Sequence, residues 1–63
     1  MPVVNISISP QPVDKKAQMV KAVTQQLSNI TSIPEEHFVI MINEIPKESI
    51  GVGGTLLSEL HKS

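Results

Sequence analysis

The chain has 63 residues, a net charge of -1 at pH 7 and no cysteine. This length allows at most one small domain, and neither disulfides nor thiolate metal sites can stabilise it. With no arginine and Phe38 as the single aromatic residue, the composition disfavours nucleic acid as a partner. No apolar run approaches the roughly 20 residues that cross a bilayer, and no basic stretch precedes an apolar core at the N-terminus, so we expect a cytoplasmic protein with no membrane partner.

The first half of the chain predicts a strand and a helix. Residues 3–9 alternate apolar and polar side chains, which is typical of a strand with one dry face. Pro10 and Pro12 end this strand, because proline cannot donate to a strand ladder. Residues 14–29 predict an amphipathic helix, and Asp14 or a residue just before it is expected to cap its start. The apolar positions at spacings of three and four are Ala17, Val20, Val23, Leu27 and Ile30.

The second half predicts a short turn, a strand and a hairpin. Residues 32–35 place serine three positions before glutamate, which suits a capped helical turn. Residues 38–42 form an unbroken apolar run, typical of a strand buried on both faces. Residues 45–54 alternate turn formers with isolated apolar residues, which suits a tight hairpin or a bulged ribbon. Residues 55–60 suit either a short strand or a helical turn.

The order of these elements predicts an α+β fold made of one domain over residues 1–63. Strand, helix and strand form a right-handed β-α-β unit with two parallel strands, followed by a C-terminal β-hairpin. One helix covers only one face of the sheet, so the other face and the edge of the first strand remain open. Burying a few hundred Å² of this apolar surface per chain would contribute several kcal/mol to stability, at roughly 25 cal/mol per Å². We therefore predict an obligate homo-oligomer.

Most residue patterns that support catalysis are absent. His37 and His61 lie far apart in the sequence and have no acidic ligand at metal spacing, so we expect no metal and no cofactor. The glycine-rich stretch 51–54 lacks the signature and the long following helix of a phosphate loop, and a turn is the better interpretation. Glu35 and Glu36 are interpreted as part of a helical turn rather than as an acid and a base.

Pro2 is the remaining candidate for chemistry. Methionine before a small residue is normally removed, and the chain then starts with a secondary amine. Such an amine has an ordinary pKa near 7.7 to 8, and apolar surroundings disfavour its cation, which would make it a base close to neutral pH. The alternative is that Pro2 merely opens a strand, where proline is common.

The chain as a whole resembles the 4-oxalocrotonate tautomerase family. The features that carry the resemblance are Pro2, the alternating strand, the helix from near Asp14, the apolar strand ending in Ile42-Asn43-Glu44, and Ile50-Gly51-Val52-Gly53-Gly54. The resemblance spans nearly the whole chain. It implies a β-α-β unit with a C-terminal hairpin, assembled as a hexamer of three dimers. It also implies a tautomerase of small 2-keto or 2-hydroxy acids in which Pro2 moves a proton between carbon and oxygen.

Three positions depart from what the resemblance implies. The family places arginines where this chain has Pro12 and Val39, and an aromatic pocket wall where it has Ile50. Those arginines bind the substrate carboxylate and polarise its carbonyl, so we expect weak activity on standard substrates, with Val39 and Ile50 lining the site. As a substitute cation we propose Lys16 or Lys15, one of which would face the proline; the alternative is that both are solvated.

Two other functions stay open at this point. One is a non-catalytic oligomeric binding or structural protein on the same fold, which the loss of both arginines favours. The other is a different activity of the same superfamily, such as a hydratase, dehalogenase or decarboxylase. The sequence shows no paired acid that would activate water.

Overall fold

The structure, a computed structural model, describes residues 1–60 and confirms the predicted α+β fold. His61, considered above as a possible metal ligand, falls outside these residues. No helix within residues 1–60 combines the length and apolar character needed to span a bilayer. In chain order the elements are β1 (Val3–Ile8), α1 (Val13–Thr31), β2 (Val39–Glu44), β3 (Gly51–Val52), β4 (Thr55–Leu56) and α2 (Leu57–Leu60), with short 3-10 turns at Glu35–His37 and Lys47–Ser49.

Strands β1 and β2 form a parallel pair, as the β-α-β order predicts. Val3 lies opposite Val39 at one end of the pair and Ile8 lies opposite Glu44 at the other. The predicted second strand, residues 38–42, starts one residue early and ends two residues early. Its pairing begins only at Val39, whose N–H donates to the carbonyl of Pro2 at 2.9 Å, and continues as far as β1 offers partners.

Helix α1 is longer than predicted and begins without a side-chain cap. Pro12 occupies the N-cap position with φ -60°, and no side chain accepts a bond from the first turn. The sequence predicts the cap at Asp14 or just before it, but Asp14 lies inside the first turn, where a carboxylate still suits the helix dipole. The first helical bond runs from the N–H of Lys16 to the carbonyl of Pro12 at 3.0 Å. The fixed φ of proline is compatible with the extended conformation of this N-cap residue, and its ring offers no side-chain acceptor for the first turn.

The predicted capped turn at residues 32–35 is wrong, because Ser32 ends α1 instead of starting the next turn. Ser32 adopts a left-handed conformation with φ 62°, and its N–H donates to the carbonyl of Ser28 at 2.9 Å. The hydroxyl of Ser28 then donates to the carbonyl of Ile33 at 2.6 Å, which fixes the exit from the helix. The 3-10 turn follows at Glu35–His37, again with no side-chain cap.

The C-terminal hairpin is confirmed, with two glycines at its tip. Val52 pairs with Thr55 across the turn, and both glycines between them have positive φ, 60° for Gly53 and 89° for Gly54. Two positive φ values in a two-residue turn match the right-handed twist of the strands. Residues 55–60 contain both of the alternatives left open by the sequence, since β4 runs directly into the helical turn α2.

We expect Gly53→Val to lower the free energy of unfolding by about 1–2 kcal/mol, because a β-branched side chain is strained at positive φ. Gly53→Asn is the matched control, since asparagine tolerates the left-handed region and nothing lies within 4 Å of the Cβ that it adds. Urea unfolding of both variants measures the difference. Equal stability of the valine and asparagine variants would contradict this account of the turn.

Within residues 1–60, a single chain has no buried core. No residue between positions 1 and 60 is fully buried, and Met41, at the middle of β2, is 50% exposed. The radius of gyration is 15.1 Å, whereas a compact chain of this length has about 10.6 Å. The predicted burial of the second strand on both faces is therefore not achieved within one chain. The exposed apolar faces are surfaces that further chains could cover.

Candidate active site

Pro2 and Val39 lie together at the amino end of the parallel strands. The carbonyl of Pro2 accepts the N–H of Val39 at 2.9 Å, and the next residue, Val3, pairs with Val39 in the strand register. Pro2 and Val39 are both half-buried, whereas Met1 is 89% exposed. This hydrogen bond ties the proline to the sheet through its carbonyl, which leaves its nitrogen at the very end of the strand.

Lys16 lies at the opposite end of the strands. Its Nζ is 2.9 Å from Oε1 of Glu44, the last residue of β2. The other carboxylate oxygen of Glu44, Oε2, accepts the backbone N–H of Gln11 at 2.9 Å. Glu44 therefore joins the connection between β1 and α1 to the end of β2. Lys15, which precedes Lys16 in the first turn of α1, is exposed.

Ile50 lies beyond the same carboxyl end of β2. It follows the 3-10 turn Lys47–Ser49, and its carbonyl accepts the N–H of Leu57 at 2.7 Å. The Ile50 side chain is half-buried, as an apolar pocket wall would be. The hydrogen bond to Leu57 fixes Ile50 to the start of α2.

One chain separates these candidate residues into two groups. Pro2 and Val39 stand at one end of β1 and β2, and Lys16 and Ile50 stand at or beyond the other. Six strand residues at about 3.3 Å each place roughly 20 Å between the ends. The expectation that Lys15 or Lys16 faces the proline is therefore not met within one chain, and it stays a prediction for an assembly of chains.

The sequence did not predict that Glu44 lies beside Lys16 at the carboxyl end of the strands. Parallel strands bring the connection after β1 and the last residue of β2 to one edge, so an acid ending β2 is placed beside a lysine in the first turn of α1. The backbone N–H of Gln11 and, next, the Lys16 side chain lower the pKa of the Glu44 carboxyl below its ordinary value of 4.5. Both donors stabilise the charged form.

This lowered pKa predicts how stability depends on pH. A carboxyl with a lower pKa in the folded state contributes stability above its unfolded pKa, and that contribution is lost as the pH falls through the folded value. The unfolding free energies of wild type and Glu44→Gln should thus differ by a constant amount from pH 7 to about 5.5. The difference should shrink below pH 4.5, and urea unfolding from pH 3 to 7 measures it. A difference that grows in acid would reverse the assigned sign.

An apolar groove of about 520 Å³ runs between β1 and α1. Val4 and Ile6 line it from the strand, and Ala22, Val23, Gln26 and Leu27 line it from the helix. None of the candidate site residues borders it. Within residues 1–60, no three His, Asp or Glu side chains are grouped so that they could hold a metal ion. The groove offers surface for packing but no titratable group for chemistry.

Comparison with known proteins gives consistent matches over nearly the whole chain. The profile of the family described as "Tautomerase enzyme" matches residues 2–60. A "Probable tautomerase" of Lactiplantibacillus plantarum is 35% identical over 60 residues, which cover 94% of each protein.

Two solved structures show the same fold. TomN, a 4-oxalocrotonate tautomerase homologue in the tomaymycin biosynthetic pathway, superposes with a TM-score of 0.91 at 22% identity, covering 98% of this chain and 97% of its own. A heterohexamer 4-oxalocrotonate tautomerase from Chloroflexus aurantiacus J-10-fl superposes with a TM-score of 0.85 at 22% identity, covering 97% and 100%.

Proposed function

Since the chain belongs to the tautomerase family, we propose that it interconverts the keto and enol forms of small 2-keto or 2-hydroxy acids, with Pro2 as the general base. The observation that carries the proposal is the position of Pro2, held at the start of β1 by its bond to Val39. The nitrogen takes a proton from the carbon next to the carbonyl and returns it to the oxygen, or the reverse. No net redox change or added group is needed.

The environment of Pro2 supports a base that works near neutral pH. Pro2 is half-buried, and Val39 and Phe38 beside it are apolar and half-buried as well. Apolar surroundings disfavour the charged form of an amine, which supports a neutral, basic nitrogen at this position. A base whose pKa lies near the working pH transfers protons most effectively.

We propose further that the site is completed by self-association, as a homo-oligomer and by analogy a hexamer. The absence of a buried residue between positions 1 and 60 supports this, because a stable domain needs a core. The heterohexamer from Chloroflexus aurantiacus J-10-fl, which has the same fold, supports a hexamer by analogy. A second chain could bring its Lys16 and Ile50 to the Pro2 end of the first, and thereby bridge the separation of roughly 20 Å found in one chain.

Weak activity on standard keto acids is part of the proposal. The Val39 side chain cannot donate a hydrogen bond to a developing oxyanion, and Pro12 lacks even a backbone N–H. Losing one such donor costs on the order of 10² to 10³ in rate. Lys16 is the substitute that we propose, although a lysine does not reproduce bidentate binding of a carboxylate.

Intact mass of the native protein and a phenylpyruvate assay test the proposal together. The mass must show that Met1 is removed, because otherwise the Pro2 nitrogen is an amide and cannot act as a base. Tautomerisation of phenylpyruvate that requires Pro2 supports the enzyme. Retention of Met1 together with no turnover favours the second candidate, a non-catalytic oligomeric protein, which the engagement of Lys16 by Glu44 also favours.

A further inference from the structure

We propose that Glu44 is a specificity-determining residue that disfavours substrates with a free carboxylate at Lys16. This inference rests on the proposed function and refines its substrate class. The relevant geometry is the bond from Nζ of Lys16 to Oε1 of Glu44 at 2.9 Å and the bond from the N–H of Gln11 to Oε2 at 2.9 Å. The protein's own carboxylate therefore occupies the two donors that face it.

A substrate carboxylate that approached Lys16 would meet this arrangement at a cost. Either it displaces Glu44, which breaks two charge-assisted hydrogen bonds, or it binds beside Glu44 and two negative charges come close together. The charges of Lys16 and Glu44 cancel, so the pair attracts no anion at a distance. An uncharged carbonyl compound neither has to displace Glu44 nor is repelled by its charge.

The partial exposure of the pair sets the size of the effect. The side chains of Lys16 and Glu44 are 29% and 32% exposed, so water screens their interaction and Glu44 can turn away. Glu44 thus weakens acid binding without abolishing it. The expected penalty against an acid is about fivefold, the upper end for pairs at such exposure.

The test compares phenylpyruvate with its methyl ester, which differ only in the charged group. Glu44→Gln keeps an oxygen that can accept the Gln11 N–H and removes only the charge. We expect this variant to raise kcat/KM for the acid, relative to the ester, by about fivefold. Adding Lys16→Met should remove the gain. If the ratio of kcat/KM for the acid to kcat/KM for the ester changes less than about twofold, the inference is overturned.

Glu48→Gln is the matched control for the loss of one negative charge. Glu48 is an exposed acid in the turn Lys47–Ser49, near the same end of the strands, and has no role in the proposed site. Glu48→Gln should leave the ratio of kcat/KM for the acid to kcat/KM for the ester unchanged. A gain equal to that of Glu44→Gln would show a general effect of net charge and would refute the specific role of Glu44.

An equilibrium measurement separates failure of this inference from failure of the proposed function. Binding of 3-phenylpropanoate and of its uncharged amide, followed by NMR titration of the intact oligomer, requires no turnover. Glu44→Gln should tighten binding of the acid about fivefold and leave the amide unchanged. If Pro2→Ala proves as active as wild type, the tautomerase mechanism falls, but this titration still decides the role of Glu44. Equal affinities of wild type and Glu44→Gln for the acid would refute the role of Glu44.

Discussion

Pro2→Ala lowers kcat/KM for tautomerisation of phenylpyruvate by about 10²-fold, if Pro2 is the general base. A positioned base contributes about 10² to 10⁴ in rate, and alanine leaves a primary amine that retains part of the basicity. The backbone carbonyl that accepts the Val39 N–H is preserved, so the strand pairing should survive. The rate of enol formation, followed by ultraviolet absorbance, measures the effect.

A chain that retains Met1 provides the matched comparison. Its Pro2 nitrogen is an amide with no basic lone pair, so the whole contribution of the base, up to about 10⁴-fold, should be lost. Circular dichroism and native mass must match those of the processed protein, so that only the amine differs. Equal activity of the Pro2→Ala and wild-type proteins would refute the mechanism.

Met41→Glu raises the dissociation constant of the assembly by at least about 100-fold, equivalent to about 2.8 kcal/mol. Met41 is 50% exposed on the face of the sheet opposite α1, where Val3 is 46% exposed. If chains cover this face, the substitution removes apolar contact and buries an unpaired charge. Native mass spectrometry and urea unfolding at several protein concentrations measure the change. Wild type should become more stable as its concentration rises, because assembly is linked to folding.

Gln25→Glu is the control for this second prediction. Gln25 is exposed on α1 and lies among polar helix positions, so it gains the same charge without the loss of an apolar surface. It should leave the assembly intact. A wild-type protein whose stability does not depend on concentration would show that a single chain folds alone, and would remove the physical basis for the oligomer.

Local patterns in the sequence predicted most of the fold, because each depends only on neighbouring residues. The alternation of residues 3–9 corresponds to β1, and the apolar spacing over residues 14–29 corresponds to α1 to within two residues at either end. The predicted second strand ended too early because a hydrogen bond to a distant segment sets its boundary. The N–H of Ile45 donates to the carbonyl of Ile8 at 2.9 Å, so the ladder continues past the apolar run that ends at Ile42.

The candidate site was predictable only in part. Pro2 stands out from its position in the chain and its secondary amine, and its role remains a proposal. The pairing of Lys16 with Glu44 joins residues 28 positions apart in the sequence, and no motif in the sequence links the two side chains. Only the side-chain geometry shows that this lysine is already engaged.

The amino-acid sequence by itself determined most of the secondary structure, the parallel β-α-β order and a turn in the glycine-rich stretch 51–54, since side-chain periodicity, proline and glycine act over a few residues. The tertiary structure decided which candidate residues share an end of the sheet. Parallel register places Pro2 beside Val39 and places Glu44 beside Lys16, at opposite ends of the strands. The physical reason is that strand register and the pairing of side chains at the strand ends depend on contacts between distant segments, which no local pattern encodes.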